Sequence, residues 1–144
     1  MGAPGARRPP VALKVLVVDS GAALRASSSA AARRQLAGTT LIGPPLLWSE
    51  VMSAIHEALW RRDLTAAAAN GLRTGFRDLA VEQHQPEELR DRAWALADEL
   101  GLAKTYDAEF LALASLRGCR LLTTDGRLRR GADRTGLVVS PDEL

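Results

Sequence analysis

The stretch TYDAEFLALASLRGCRLLTTD, residues 105–125, decides the fold. It reads as a helix over 107–117 with Phe110, Leu111 and Ala114 in its apolar run, a terminating Gly118, and a short buried strand over 119–122. An aspartate stands at each half: Asp107 leads into the helix and Asp125 closely follows Leu121 and Leu122. Each has an ordinary reading. Asp107 complements the helix dipole in a first turn, and Asp125 begins an Asp-Gly turn. The rest of the chain decides whether both ordinary readings hold together.

Upstream, residues 13–18 of LKVLVVDSGAAL form a near-continuous, Val-rich apolar run, the pattern of a strand buried on both faces of a parallel sheet. The run stops at Asp19, and Ser20-Gly21 turns into a helical stretch. SSSAAARRQLAG is a second helix closed by Gly38, and TTLIG, 39–43, is a second strand. Pro44-Pro45 opens a helix whose apolar stripe is Leu47, Val51, Ala54, Ile55, Ala58 and Leu59. Glu50 edges onto that buried stripe, an odd place for a carboxylate, whereas Glu57 lies toward the polar side.

Thr65 reads as the N-cap of a helix weakened by Gly71 and Gly75. A brief strand is expected in DLAVEQH. Pro86 starts a helix with Leu89, Ala93, Leu96, Ala97 and Leu100 on one face and Gly101 past its end. After residue 125, DGRLRRGADRTG gives a short helix and turn, and LVVS a last strand. Strand and helix alternate throughout, which predicts a three-layer α/β/α sandwich on a mainly parallel central sheet. The expected organisation is a flexible Pro/Gly/Arg tail over 1–12 followed by one domain over 13–144.

The composition is that of an ordinary globular protein, 47% hydrophobic and 25% charged, in a chain of 144 residues. Cys119 is the only cysteine, so no internal disulfide can form, which points to a reducing, cytoplasmic setting. No apolar stretch approaches the length of a membrane span, and the run Val15 to Val18 is too short for a signal-peptide core. The net charge of +2 permits nucleic-acid binding without arguing for it.

In parallel α/β sheets the binding site lies beyond the carboxyl ends of the strands. Asp19 and Asp125 immediately follow strands, Asp107 starts the helix that feeds an inner strand, and Glu50 sits early in a helix that follows a strand. These four carboxylates point toward one rim. Like charges held together need neutralisation, and with no Cys-His cluster the natural neutraliser is a hard cation, Mg²⁺ or Mn²⁺. Such a site suits hydrolysis of a phosphodiester. Arg127, Arg129 and Arg130, directly after Asp125, read equally as a solvated helix face or as a hold on a polyanionic backbone.

Other chemistries fit less well. The chain has neither a P-loop nor a GxGxxG motif. Ser20 is the one nucleophile-like residue at the rim, but neither His56 nor His84 lies near a site strand, which disfavours a Ser-His-Asp triad. Trp48, Trp60 and Trp94 fall at helical positions that suit packing in a core or interface better than base stacking.

The segments LVVDSGAAL, SEVMSAI, TYDAEFLALASLRGCRLLTTDGRL and LVVSPDEL together resemble the PIN-domain ribonucleases, specifically the VapC-type toxins of toxin–antitoxin pairs. The resemblance covers nearly all of 13–144. It implies that Asp19, Glu50, Asp107 and Asp125 bind Mg²⁺ or Mn²⁺ and cut RNA. Thr123 matches a hydroxyl that orients the site, and Ser20 a small polar neighbour of the first aspartate. The resemblance further implies a homodimer and a VapB-like protein antitoxin that covers the site. The alternatives are a non-catalytic PIN-like scaffold, against which four mutually repelling carboxylates argue, and an RNA-maturation nuclease without an antitoxin.

Overall fold

The structure, a computed structural model, describes residues 14–144; the tail expected over 1–12 lies outside them. The first strand, β1 (Lys14–Val18), leads into helices α1 (Ser20–Ser28) and α2 (Ala30–Gln35). Strand β2 (Thr39–Gly43) precedes α3 (Leu46–Trp60) and α4 (Ala66–Asp78), and β3 (Glu82–Gln83) precedes α5 (Leu89–Leu100) and α6 (Tyr106–Arg117). Strand β4 (Arg120–Leu122), helix α7 (Gly126–Ala132) and strand β5 (Val138–Val139) complete the order.

All five strands are parallel, in the order β3-β2-β1-β4-β5. Strand β1 is central: Leu16 and Val17 lie opposite Leu41 and Ile42 of β2, while Val17 and Val18 lie opposite Leu121 and Leu122 of β4. That position accounts for its apolar run, since both of its faces are covered. Helices α1, α3 and α4 pack against one another as one layer, and α5 with α6 forms the other. The fold is therefore the three-layer α/β/α sandwich that the alternating pattern predicts.

Helix α6 is the most deeply embedded helix. Phe110, Leu111 and Leu113 are each at most 1% exposed, and each such burial contributes about 1.5–3 kcal/mol. It ends at Gly118, whose φ of 65° lets the chain turn back directly into β4.

Two sequence expectations shift. The helix expected to start at Pro86 begins at Leu89, because Pro86 and the two glutamates after it form a turn closed by Leu89 N–H on the Pro86 carbonyl. Gly75 is not a weakness of α4. A Cβ there would stand 2.3 Å from the Ser27 carbonyl oxygen, so the missing side chain is what lets α4 lie against α1. Gly71 has open space around it and remains the weak position. No helix among the described residues is long and apolar enough to cross a membrane.

Candidate active site

Asp19 leaves β1 and caps α1, and its Oδ1 accepts the Ala22 N–H at 2.9 Å. Its Oδ2 accepts the hydroxyl of Thr123 at 2.5 Å. Thr123 leaves β4 and is 1% exposed, and its Oγ1 accepts the Asp125 N–H at 3.0 Å. The buried hydroxyl is thus satisfied in both directions and ties the ends of the two central strands together. Asp125 caps α7, with Oδ1 accepting the N–H groups of Arg127 and Leu128, and its Oδ2 has no partner among the described residues. Gly21 lies close to this junction, where a Cβ would come within 2.8 Å of Thr124 Oγ1 and turn that exposed side chain aside.

Glu50, half-buried in the second turn of α3, and Asp107, in the first turn of α6, face the same rim. Burial raises the Asp19 carboxyl above its ordinary range, and Asp125 and Asp107 push it the same way against the Thr123 and Ala22 hydrogen bonds. Burial also raises Glu50, with Asp107, Asp19 and Glu109 adding to it and the nearby Ser20 hydroxyl opposing. Asp107 is solvent-accessible, yet the protein behind it and the charge of Asp125 still raise its carboxyl. The sequence-derived quartet is therefore one electrostatic unit.

Its members nevertheless stand apart. Among the described residues no three His, Cys, Asp or Glu side chains are close enough to hold one ion between them. The ion pairs of the described residues are Arg61–Glu57, Arg77–Asp78, His84–Glu82 and Arg129–Glu143, and none of them includes a rim carboxylate. Hard oxygen donors carrying uncompensated negative charge suit a divalent cation.

The three arginines after Asp125 diverge. Arg127 and Arg130 are exposed, whereas Arg129 is half-buried and pairs with Glu143. A cleft of about 330 Å³ adjoins the rim, with Thr123, Asp125 and Arg129 among its walls. Arg25 of α1 lines it too, and the sequence reading missed that residue. No spacing signal marked it, since six residues beyond Asp19 falls on a different face of α1. A larger cavity, about 710 Å³, lies elsewhere, between α3 and α4 against Met52, Ile55, Leu59 and Ala69. Trp48 lines a neighbouring 540 Å³ cavity and meets Phe76 edge-on at 6.1 Å. Trp60 and Trp94 are exposed, at 79% and 67%, and so take no part in the core.

Residues 16–134 match the PIN domain family. The chain belongs to that family. This PIN domain is 35% identical over 115 residues to the VapC ribonuclease Mb0985 of Mycobacterium bovis, covering 79% of this chain and 88% of that protein. It is 33% identical over 120 residues to ribonuclease VapC3 of Mycobacterium tuberculosis, covering 80% and 85%. Among solved structures, PAE2754 from Pyrobaculum aerophilum shares the PIN fold with a TM-score of 0.68 at 19% identity, covering 93% of both chains. A toxin–antitoxin complex from Klebsiella pneumoniae matches with a TM-score of 0.66 at 20% identity, over 90% of this chain and 99% of that one.

Proposed function

We propose that this PIN domain is a metal-dependent endoribonuclease and the toxin of a toxin–antitoxin pair. The observation that carries the reading is the rim of Asp19, Glu50, Asp107 and Asp125: burial and neighbouring carboxylates raise the carboxyls of Asp19, Glu50 and Asp107, and none of the four pairs with a cationic side chain among the described residues. Relatives at 33–35% identity that bear the name ribonuclease support RNA as the substrate.

Asp19, Glu50, Asp107 and Asp125 would hold Mg²⁺ or Mn²⁺, which supplies a more acidic water and neutralises charge on a phosphoryl oxygen. The chain's own groups do the positioning. Thr123 fixes Asp19 and the Asp125 backbone in one arrangement. Ser20 favours the charged form of Glu50. Arg127, Arg129 and Arg130 line the approach of a polyanionic strand.

The reading also entails a protein antitoxin, VapB-like, that restrains the enzyme in the cytoplasm, and a homodimeric toxin. An antitoxin arginine paired with the rim carboxylates would both bind and inhibit. The test is incubation of purified protein with structured RNA and Mn²⁺ or Mg²⁺. Fragments should appear and vanish with a chelator, and equal cleavage under chelation overturns the mechanism. Expression alone should arrest growth, and co-expression with the product of the neighbouring reading frame should relieve the arrest.

A further inference from the structure

Two arginines far apart in sequence, Arg25 of α1 and Arg129 of α7, line one cleft beside Asp125. Its volume of about 330 Å³ is at the small end of ligand clefts, with room for a nucleotide unit and not for a duplex. Thr123, Thr124 and Asp125 connect it directly to the carboxylate rim, and Ser140 and Asp142 line it as well.

Arg129 is held in place. Its guanidinium pairs with Glu143, and Oε1 of Glu143 in turn accepts the Ser140 N–H at 3.1 Å and the Ser140 hydroxyl at 2.8 Å. These contacts hold the Glu143 carboxyl down at about 2, so the anchor stays charged throughout the neutral range. A guanidinium has five N–H donors, and the anchor leaves others for a ligand. Arg25 makes no ion pair among the described residues. One arginine is thus preset and the other open, beside a site where phosphodiesters would be cut. Asp142 also lines the cleft, so the two guanidiniums would hold a phosphate against a nearby carboxylate.

Resting on the nuclease reading, we propose that the cleft between Arg25 and Arg129 is the subsite for the RNA phosphate next to the one attacked. A bidentate guanidinium matches phosphate geometry. Glu143 is a positioning residue that acts through Arg129.

The test measures binding apart from cleavage. A fluorescein-labelled single-stranded RNA 12-mer is titrated by anisotropy in chelator, over a range of salt, against wild type, Arg25→Ala, Arg129→Ala and Glu143→Gln. Arg34→Ala, on exposed α2, is the control. Each cleft arginine removed should weaken binding about tenfold and flatten the log–log salt slope by about 0.7. Arg25→Lys should recover part of the loss, Glu143→Gln should weaken binding, and Arg34→Ala should match wild type. On an RNA that wild type cleaves in Mn²⁺, a neutral methylphosphonate one linkage from the cut should lower kcat/KM about tenfold for wild type and add little for Arg25→Ala. Wild-type affinity and slope in both alanine variants overturn the subsite, as does indifference of wild type to the neutral linkage. Absence of wild-type cleavage alongside arginine-dependent binding supports the cleft as a phosphate site and overturns the nuclease reading alone.

Discussion

The Thr123 hydroxyl donates to Asp19 Oδ2 at 2.5 Å across 104 residues of sequence, and the same oxygen accepts the Asp125 N–H. One buried side chain therefore sets the relative placement of the two strand-end aspartates. Thr123→Val removes both bonds at nearly constant volume. It is expected to cost about 1–3 kcal/mol in urea unfolding and to lower RNA cleavage about 100-fold through misplacement of Asp19. The lost bond favoured the charged carboxylate, so the acid limb of the cleavage profile should move to higher pH. Thr123→Ser should restore most of both properties.

The raised carboxyls of Asp19, Glu50 and Asp107 set the pH dependence of the metal-free protein. A folded-state pKa above the unfolded value means that the native state binds protons more tightly. Stability is then highest below the unfolded carboxylate pKa of about 4 and falls as pH rises through the folded value. Melting in chelator should show this decline from acid toward neutral pH. Asp107→Asn, which removes one charge, should raise the pH 7 melting temperature by about 2–5 °C. It should also lose most of the upward shift that Mn²⁺ gives wild type. Identical Mn²⁺ shifts in both proteins would count against Asp107 as a ligand.

Glu50→Gln keeps size and half-burial but removes the charge. Its circular dichroism should match wild type, and its denaturant midpoint in chelator should equal or slightly exceed it, because a raised carboxyl is removed. Cleavage should fall about 10²–10⁴-fold, and near-normal turnover would reduce the working site to three aspartates.

Gly75 and Gly71 lie one turn apart on α4 and should respond in opposite directions. Gly75→Ala drives a Cβ against the Ser27 carbonyl oxygen and should destabilise by about 1–3 kcal/mol. Gly71→Ala meets nothing and should stabilise by about 0.5–1 kcal/mol. Urea titrations of the two variants provide the comparison.

The parallel sheet and the four acidic positions were legible because both follow from local pattern: Val-rich runs, the residue that ends each run, and a glutamate intruding on an apolar stripe. Arg25 was not legible, because its function depends on α1 and α7 meeting beside Asp125, and no periodicity within α1 marks that. Gly75 looked like a defect for the same reason, since its value lies in a backbone on another helix. The exposure of Trp60 was hidden by an apolar residue type at the last position of α3, where the helix runs out past the core. Trp94 is exposed in the middle of α5, so of the two roles its helical position suited, core and interface, the core is ruled out.

Strand β1 is hydrogen-bonded on both sides, whereas the outermost strands β3 and β5 have two residues each. Amide exchange should accordingly begin at those margins and reach Leu16–Val18 last. Asp19 is rooted in the slowest-exchanging part of the molecule, while Glu50 and Asp107 stand near the starts of helices, where backbone groups open more readily. Partial opening of the periphery should therefore loosen the rim from both helical layers while Asp19 stays fixed as the point against which it recloses.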